Sequence, residues 1–237
     1  AAFDGAFSAQ PTLKLEGTIA ADGASLRKVI AWSGQRQPPG GGFGHFALKA
    51  QTNIVGGTAA LTGVNVELDG NVAEGVLTLS TDQRSTLQGT LAADKIDLTP
   101  YLSSMKLLAG NRRAWDAEPI DISDLTGLDV DLRLSAAKVA LTSTTLDRTA
   151  LAANLRNGHL IVTVGESQGF GGTITGTFTI ANAPTGVDVK TQLQLQSVNL
   201  DSCLTELIGF KRLEGTGNIT LALEGSGATV LDITRTL

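Results

Sequence analysis

The stretch Trp115–Leu134 reads WDAEPIDISDLTGLDVDLRL, and its second half alternates strictly between apolar and polar residues. The apolar set is Leu128, Val130, Leu132 and Leu134, and the polar set between them is Asp129, Asp131 and Arg133. Successive side chains of a strand point to opposite faces, so this period of two predicts a strand with one buried and one solvated face. Most of the chain repeats the pattern, and the stretch therefore decides the fold class.

The same one-sided pattern recurs further along the chain. Its apolar positions are Ile174, Phe178 and Ile180, then Val187, Val189, Leu193 and Leu195, and finally Ile219, Leu221 and Leu223. The connections between the predicted strands are too short for crossover helices, which favours antiparallel pairing. Asp69–Gly70 and Asn157–Gly158 are typical of type I′ hairpin turns, because both central positions need a positive φ. The sequence thus predicts a mostly β fold, a long, twisted antiparallel sheet with two or three short helices.

The predicted helices follow strands. Ser25–Trp32 is amphipathic, with its serine as the N-cap. A motif then occurs twice, as IDLTPYL in Ile96–Leu102 and as VNLDSCL in Val198–Leu204. In each copy a strand is predicted to end and a short helix to begin. Thr99 and Asp201 are the predicted N-caps.

Two short apolar stretches, Lys138–Leu141 and Thr229–Ile233, are also predicted to be strands, the second inside a tail that stays apolar to Leu237. The duplicated motif suggests two β-meander modules. We expect them over residues 1–110 and 111–237, continuous with each other.

The composition excludes several classes of function. The net charge is −5 and no basic stripe is present, so the chain has no nucleic-acid footprint. The single cysteine cannot form an intramolecular disulfide. No stretch approaches the roughly 18 consecutive apolar residues of a membrane helix. The chain lacks an initiator Met and a signal peptide, and we interpret it as an excised portion whose membrane anchor lies elsewhere.

No catalytic constellation is predicted. Gly165–Gly169 reads GESQG and matches the G-x-S-x-G pattern of a nucleophile elbow, which requires a following helix and a later histidine. The next residues instead predict a strand, and both histidines, His45 and His159, come earlier. We therefore interpret the motif as a hairpin connection, Ser167 as no nucleophile, and the protein as no enzyme.

No metal or cofactor site is predicted either. The acidic residues of the opening region are Asp121, Asp124, Asp129 and Asp131. Their spacing lacks the terminal Glu of a calcium loop, so a solvated face is the simpler interpretation. Cys203 lies where a helix dipole would stabilise a thiolate, but its counterpart in the repeat is Tyr101, which favours a packing position. Trp32 and Trp115 are interpreted as anchors in a core or at the rim of a groove.

The predicted strands present more apolar surface than a few short helices can cover. The uncovered face must meet a second sheet, close on itself, or bind an apolar ligand or partner. From the residues alone a two-sheet sandwich is favoured, since sandwiches are common.

The opening stretch also resembles the C-terminal region of the AsmA family. The resemblance rests on the Trp, the Pro-Ile-Asp-Ile-Ser segment and the Leu-x-x-Leu-Asp-Val-Asp-Leu-Arg-Leu strand of Trp115–Leu134. It continues in order through the segments Lys95–Leu102, Leu151–Gly158, Gly169–Thr175 and Leu213–Gly225. The resemblance implies a periplasmic part of a protein anchored in the inner membrane of a Gram-negative bacterium, with a role in outer-membrane biogenesis.

Relatives of that family include proteins that conduct lipids along a hydrophobic groove, and this changes the expectation for the uncovered face. The resemblance implies a sheet curved into a groove for phospholipid or other acyl chains. The residues implied to face lipid are Leu128, Val130, Leu132, Leu134, Ile174, Phe178, Ile180, Val187, Val189, Leu193, Leu195, Leu221 and Leu223. The alternative is a structural module that contacts outer-membrane assembly proteins and has a closed sandwich core.

Overall fold

The computed structural model describes residues 1–9, 12–32, 34, 37, 41–81, 84–102, 120, 127–141, 144–184, 186–210 and 212–236. Within these residues, twelve strands form a single sheet in which the spatial order of the strands is their order in the chain. β1 and β12 are its edge strands. The prediction of a mostly β fold is confirmed, and the described residues contain no second sheet that would make a sandwich.

The strands are β1 Ala2–Ser8, β2 Lys14–Gly23, β3 Phe46–Val55, β4 Thr58–Leu68, β5 Asn71–Ser80, β6 Ser85–Asp97, β7 Leu128–Ala140, β8 Thr145–Arg156, β9 His159–Gly169, β10 Gly172–Ala183, β11 Gly186–Asn199 and β12 Thr216–Gly227. The helices of the described residues are α1 Leu26–Trp32, α2 Thr99–Leu102, α3 Leu200–Ile208 and α4 Val230–Thr236.

Pairing is antiparallel between described neighbours except for β6 and β7, which run parallel from Ser85 opposite Leu128 to Asp97 opposite Ala140. Mainly antiparallel pairing, as expected from the short connections, is confirmed, and β6–β7 is the one parallel pair among the described strands. Parallel neighbours require a connection that returns the chain to the other end of the sheet, and the residues between β6 and β7 provide it. This pairing also joins strands from either side of the predicted module boundary.

The two predicted hairpin turns are confirmed. Asp69 and Gly70 have φ of 53° and 81°, and Asn157 and Gly158 have 52° and 75°, as a type I′ turn requires. Lys138–Leu141 is not a separate strand, because β7 runs on to Ala140. The alternation was misleading there, since two exposed residues separate buried Ala136 from buried Val139.

The end of the chain differs from the expectation. Val230–Thr236 is helix α4 rather than a strand. The Thr229 hydroxyl accepts a hydrogen bond from the Asp232 N–H at 3.1 Å and donates to the Asp232 carboxylate at 2.8 Å. This is a capping interaction between the N-cap and the third helical residue, and the T-x-x-D pattern that encodes it was visible in the sequence.

Helices α1, α2 and α3 begin where β2, β6 and β11 finish, and these three strands run in the same direction. The three helices consequently lie at one end of the sheet, which we call the helical end. Helix α4 follows β12, which runs the opposite way, and lies at the other end.

The capping residues of the repeat are displaced from those predicted. Asn199, not Asp201, is the N-cap of α3, and its side chain accepts from the Ser202 N–H at 2.8 Å. In the other copy the Asp97 carboxylate accepts from the Thr99 N–H at 2.9 Å. Asp97 and Asn199 occupy equivalent positions of the motif, so the repeat is real but its cap lies two residues earlier. The predicted Ser25 cap is confirmed by a 3.3 Å bond from the Lys28 N–H.

Candidate functional site: the apolar face of the sheet

The register of the strands collects most of the apolar positions of the sheet on one side. Residues that pair directly across an antiparallel ladder share a face. Leu132 pairs with Ala153, which pairs with Val162, and the series continues through Phe178 and Thr191. We call this side the apolar face.

The strand positions on the apolar face between β6 and β12 are Leu87, Leu91, Leu128, Val130, Leu132, Leu134, Leu151, Ala153, Leu155, Leu160, Val162, Val164, Ile174, Phe178, Ile180, Val187, Val189, Thr191, Leu193, Leu195, Ile219, Leu221 and Leu223. The structure thus places all thirteen predicted lipid-facing residues on the same side of one sheet. The same side continues through β1–β5, where Leu79 pairs with Leu87, and Leu15 pairs with Ile54.

These side chains are only partly covered. Of the thirteen, Val187 and Leu195 are buried, at 1 % and 5 % exposure, and the other eleven lie in the intermediate range. A sheet face packed against a second layer would bury its apolar residues nearly completely. The apolar face therefore stays partly accessible across its middle.

Between β6 and β12 the buried residues concentrate towards the ends of the strands, whereas Ala50 and Val64 are buried in the middle of β3 and β4. At the helical end, Leu195 and Val198 pack with Cys203 of α3. Nearby in the sheet, Ile96 packs with Ala136 and Val139. The ends thus hold the cores of the described residues, and the accessible part of the face lies between them.

Helix α4 covers the other end of β12. A Cβ atom at Gly225 would approach the Ile233 side chain to 3.1 Å, and one at Gly227 would approach the Asp232 Cβ to 2.5 Å. Val187, which pairs with Gly227, is buried beside it. Glycine at these two positions lets a helix lie directly on the sheet.

Glycines also occupy the apolar face where neighbouring strands come close. A Cβ atom at Gly176 would lie 2.6 Å from the Gln192 carbonyl oxygen, and Cβ atoms at Gly75 and Gly89 would collide with the carbonyls of Thr90 and Val76. Gly5 and Gly17 face each other across β1 and β2 with the same crowding. Glycine inside a strand marks a bend or a close backbone approach, and the crowding at these positions is close backbone approach on the apolar side.

The opposite face is mostly polar, although exposed Val55, Val72 and Val76 also lie on it. Gln192, Gln194 and Gln196 of β11 are exposed there. The Asp129 carboxylate forms an ion pair with the Arg84 guanidinium, with Oδ1 2.7 Å from Nε. The predicted acidic cluster does not assemble in the described residues, because Asp121 and Asp124 lie outside them.

The G-x-S-x-G motif lies within β9, which continues to Gly169, and not in a hairpin connection. Ser167 is fully buried and shares a 2.8 Å hydrogen bond with the Thr149 hydroxyl, itself 4 % exposed. The turn to β10 follows at Phe170–Gly171. The Ser167 hydroxyl thus provides a hydrogen-bond partner for the buried Thr149 hydroxyl in the neighbouring strand β8, a structural role that the G-x-S-x-G motif did not indicate.

A polar cluster fixes the helical end near α1 and α2. The Asp69 carboxylate accepts from the N–H groups of Phe43 and Gly44, at 2.7 and 2.8 Å, and from the Tyr101 hydroxyl at 2.7 Å. Arg27 donates to the carbonyl of Gly42 at 3.2 Å and lies 5.7 Å from the centre of the Phe43 ring. The cluster ties two helices to the β4–β5 hairpin.

The protonation of this cluster follows from its hydrogen bonds. Burial alone would raise the pKa of Asp69, but the hydrogen bonds from Tyr101, Gly44 and Phe43 outweigh it and hold that pKa below its usual value. Burial and the bond to Asp69 raise the pKa of Tyr101 to about 12. At neutral pH Asp69 is therefore ionised, and Tyr101 keeps the proton that it donates.

The remaining cysteine, tryptophan and histidine candidates occupy different environments. Cys203 is fully buried and burial raises the pKa of its thiol, which supports the packing role over a reactive thiolate. Trp32 is 87 % exposed at the end of α1, which excludes the core position among its two predicted alternatives. Trp115 lies outside the described residues. His45 is exposed with its Nδ1 3.6 Å from the Glu67 carboxylate, and His159 is exposed at the start of β9.

The described residues hold no group of three or more His, Cys, Asp or Glu side chains arranged to bind a metal ion. Among them, no helix has the length and apolar character needed to cross a membrane.

The chain was compared with models of known protein families. The model described as the AsmA family matches residues 35–237, which is most of the chain. No curated protein and no solved structure matches the chain.

Proposed function

Because the chain belongs to the AsmA family, we propose that it is a non-enzymatic module that binds or conducts lipid acyl chains along the apolar face of its sheet. Membership of the family supports a role in outer-membrane and lipid-related biogenesis at the family level. The proposal adds three points to this family-level role: the ligand is a lipid acyl chain, the apolar face binds it, and the module catalyses no reaction.

The observation that carries the proposal is an apolar face that is continuous in register yet only partly buried. Soluble proteins rarely leave large contiguous apolar patches uncovered unless the patch binds something. The middle of this face, from Leu132 to Leu193 and Leu221, lacks a covering layer within the described residues. A hydrocarbon chain matches such a surface, because it needs no hydrogen bonds and gains about 0.8 kcal/mol for each CH₂ group that it buries.

The glycines support a groove as the shape of the surface. Glycine kinks and β-bulges are the devices that curve a sheet. Here Gly75, Gly89 and Gly176 have no room for a Cβ on the apolar side, which favours that side as the concave one. Bulges interrupt the register between Leu195 and Val198 and between Leu61 and Val64.

The setting of the module follows from the same proposal. We place it in the periplasm, as part of a protein anchored in the inner membrane of a Gram-negative bacterium, with phospholipid as the first ligand to test. Outer-membrane assembly proteins are candidate partners, and nucleic acid is not.

The decisive variant is Leu193→Asp. Leu193 lies on the apolar face of β11 between two exposed glutamines of the polar face. A carboxylate in an acyl-chain path would lose its hydration when the chain binds. We expect binding of a fluorescent fatty acid to weaken roughly tenfold or more, and co-purifying lipid to disappear from mass spectra.

Gln192→Asp is the matched control, since it adds the same charge one residue away on the polar face. It should bind lipid like the parent chain. Both variants should remain folded by circular dichroism. Lipid binding that is equal in all three proteins would remove the apolar face as the binding surface. Unfolding of Leu193→Asp alone would instead show a closed core, as the interaction-module alternative requires.

A further inference from the structure

One row of side chains crosses the middle of the apolar face through all twelve strands, and we call it the central row. Each member pairs directly with the next, so all of them share that face. From β1 to β12 its members are Gly5, Gly17, Thr52, Leu61, Leu77, Gly89, Leu132, Ala153, Val162, Phe178, Thr191 and Leu223. A hydrocarbon chain that crossed the apolar face from one edge of the sheet to the other would have to lie on this row.

The central row is accessible in one part of the sheet and covered in another. From Leu61 in β4 to Leu223 in β12, every member lies in the intermediate range of exposure. In β3 the row passes through Thr52, which is only 3 % exposed. A ligand on the surface of the sheet has almost no contact with a side chain buried to that degree, so the protein itself covers the row at β3.

Two neighbours of Thr52 are covered in the same way. Ala50 lies two residues earlier in β3, and Val64 is kept on the apolar side of β4 by the bulge between Leu61 and Val64. Ala50 and Val64 are each 1 % exposed. We call Ala50, Thr52 and Val64 the closed segment.

The first two strands leave little space beyond the closed segment. A Cβ atom at Gly5 would lie 2.6 Å from the Gly17 Cα and 2.8 Å from the Phe3 ring. The backbones of β1 and β2 are therefore in close approach at the central row, and the Phe3 ring lies over Gly5. Atoms of the protein thus occupy the place that a ligand would need at this edge of the sheet.

The closed segment contains a polar group without a hydrogen bond. The Thr52 Oγ1 atom is buried and has no hydrogen-bond partner among the described residues. A buried, unpaired hydroxyl lowers stability, because folding removes its bonds to water without replacing them. The Thr52 hydroxyl therefore provides a test of whether the segment is closed in solution.

Over the last strands the accessible part of the face also has limits along the strands. On β11, Leu195 is buried beneath α3, and Val189 pairs with Gly225, which is buried beneath α4. The six residues from Val189 to Leu195 span about 20 Å at roughly 3.3 Å per residue. The hydrocarbon of one bilayer leaflet is about 15 Å deep, half of a core of about 30 Å. A lipid tail therefore fits lengthwise between α3 and α4, and the side chains between those limits on the apolar side, Thr191 and Leu193, carry no charge.

We propose that lipid tails bind in a compartment formed by the apolar face of β6–β12, and that the closed segment ends this compartment on the side of β1. The inference rests on the proposed function and decides between its two forms. The chain holds a lipid tail and does not pass it across the sheet from edge to edge.

Phenylalanines on the apolar face allow a matched crosslinking test in the full 237-residue chain. Phe178 lies in the compartment at intermediate exposure, whereas Phe7 of β1 is 65 % exposed on the same face, beyond the closed segment. Each is replaced in turn by the photoreactive benzoylphenylalanine, and an alkyne-tagged fatty acid is added. Crosslinking should be at least roughly fivefold stronger at Phe178 than at Phe7, although exposure alone would favour Phe7.

The outcomes separate this inference from the proposed function. If the parent binds the fatty acid but crosslinking at Phe7 equals or exceeds that at Phe178, the compartment is rejected and binding to the apolar face is retained. A parent chain that binds no fatty acid would reject both proposals.

Threonines of the central row provide a second test. Thr52→Val replaces the unpaired hydroxyl by a methyl group and should raise the melting temperature by roughly 2–4 °C, with fatty-acid binding unchanged. Thr191→Val, in the compartment, should change the melting temperature little and tighten fatty-acid binding, because a bound tail no longer covers a hydroxyl. Tighter binding in Thr52→Val, or a melting temperature that it does not raise, would show that ligand or solvent reaches β3 and would overturn the closure.

Discussion

Asn199 ends β11 and caps α3, so one amide side chain marks the point where the chain leaves the sheet. Replacing it with Ala removes the 2.8 Å bond to the Ser202 N–H and should lower the free energy of unfolding by about 1 kcal/mol. Asp201→Ala should cost less, roughly 0.5 kcal/mol, because Asp201 only favours the helix dipole from the first turn. Urea titration compares the two variants. A larger loss for Asp201→Ala would restore Asp201 as the cap.

Because of the polar cluster at Asp69, the free energy of unfolding should depend on pH in both the acidic and the alkaline range. The pKa of Asp69 is lower in the folded chain than in the unfolded chain, so its contribution is present at neutral pH and is lost as the pH falls through the folded pKa. The pKa of Tyr101 is raised to about 12. Its contribution is therefore present below the unfolded pKa and is lost as the pH rises towards 12.

Two variants test this linkage by thermal melting across pH. Asp69→Asn keeps a residue that tolerates positive φ and should remove part of the acid-induced loss of stability. Tyr101→Phe should remove part of the alkaline loss and cost roughly 1.5 kcal/mol at neutral pH. Asp188→Asn, on the exposed polar face of β11, is the control and should leave the loss of stability at low pH and at high pH unchanged. If the parent and Asp69→Asn lost thermal stability in the same way as the pH falls, the role assigned to the Asp69 carboxylate would be contradicted.

For single residues, the sequence predicted that a polar side chain would cap each helix, but not which of the neighbouring candidates would do so. The duplicated motif indicated a cap, and both copies have one, but Asp, Asn and Thr all cap helices and three of them lie close together. Which residue accepts the bond depends on where the strand ends, and that is fixed by pairing with neighbouring strands. The T-x-x-D pattern at Thr229 was an available signal of α4, yet the apolar tail appeared equally suited to a strand.

At the level of the elements, glycine positions should respond very differently to the same substitution. Gly176→Ala places a methyl group 2.6 Å from the Gln192 carbonyl oxygen and against the Leu193 side chain, and we expect a loss of about 1–3 kcal/mol. Gly165→Ala, in the neighbouring strand β9, would meet only the Ala150 carbonyl at 3.8 Å and should be neutral or slightly stabilising. Chemical denaturation measures both. Equal effects would mean that the strands are not crowded at Gly176.

Most strands were predictable because one solvated face preserves the alternation of apolar and polar residues. The direction of β7 was not, since the parallel β6–β7 pair depends on the path of the chain between them, and alternation carries no information about strand direction. The register of the apolar face was likewise beyond the sequence, although each strand's own apolar side was readable. The bulges near Gly63 and Ser197 keep apolar residues on one side where a regular strand would have rotated them away.

For the whole molecule, the open question from the sequence was what meets the apolar side. The alternation of apolar and polar residues alone favoured a sandwich, because it shows which strand positions are apolar but not how many sheets the strands form. The structure supplies the missing facts, which are a single sheet within the described residues and side chains in the intermediate range of exposure. The exposure of Trp32 at the helical end could not be identified from the sequence, because this residue is also compatible with a core position until the fold is known.

The strand order of the sheet has a consequence for how the chain folds. Since each strand pairs with its neighbours in the chain, the contacts between strands join consecutive elements, and hairpins can form independently and grow outward, as in repeat proteins. The parallel β6–β7 junction is the exception, because it closes a loop of about 30 residues and should cost roughly 2 kcal/mol more in chain entropy than a two-residue hairpin turn. Two halves that nucleate separately would therefore meet late at this junction, which makes closure of the β6–β7 pair the expected rate-limiting step of folding.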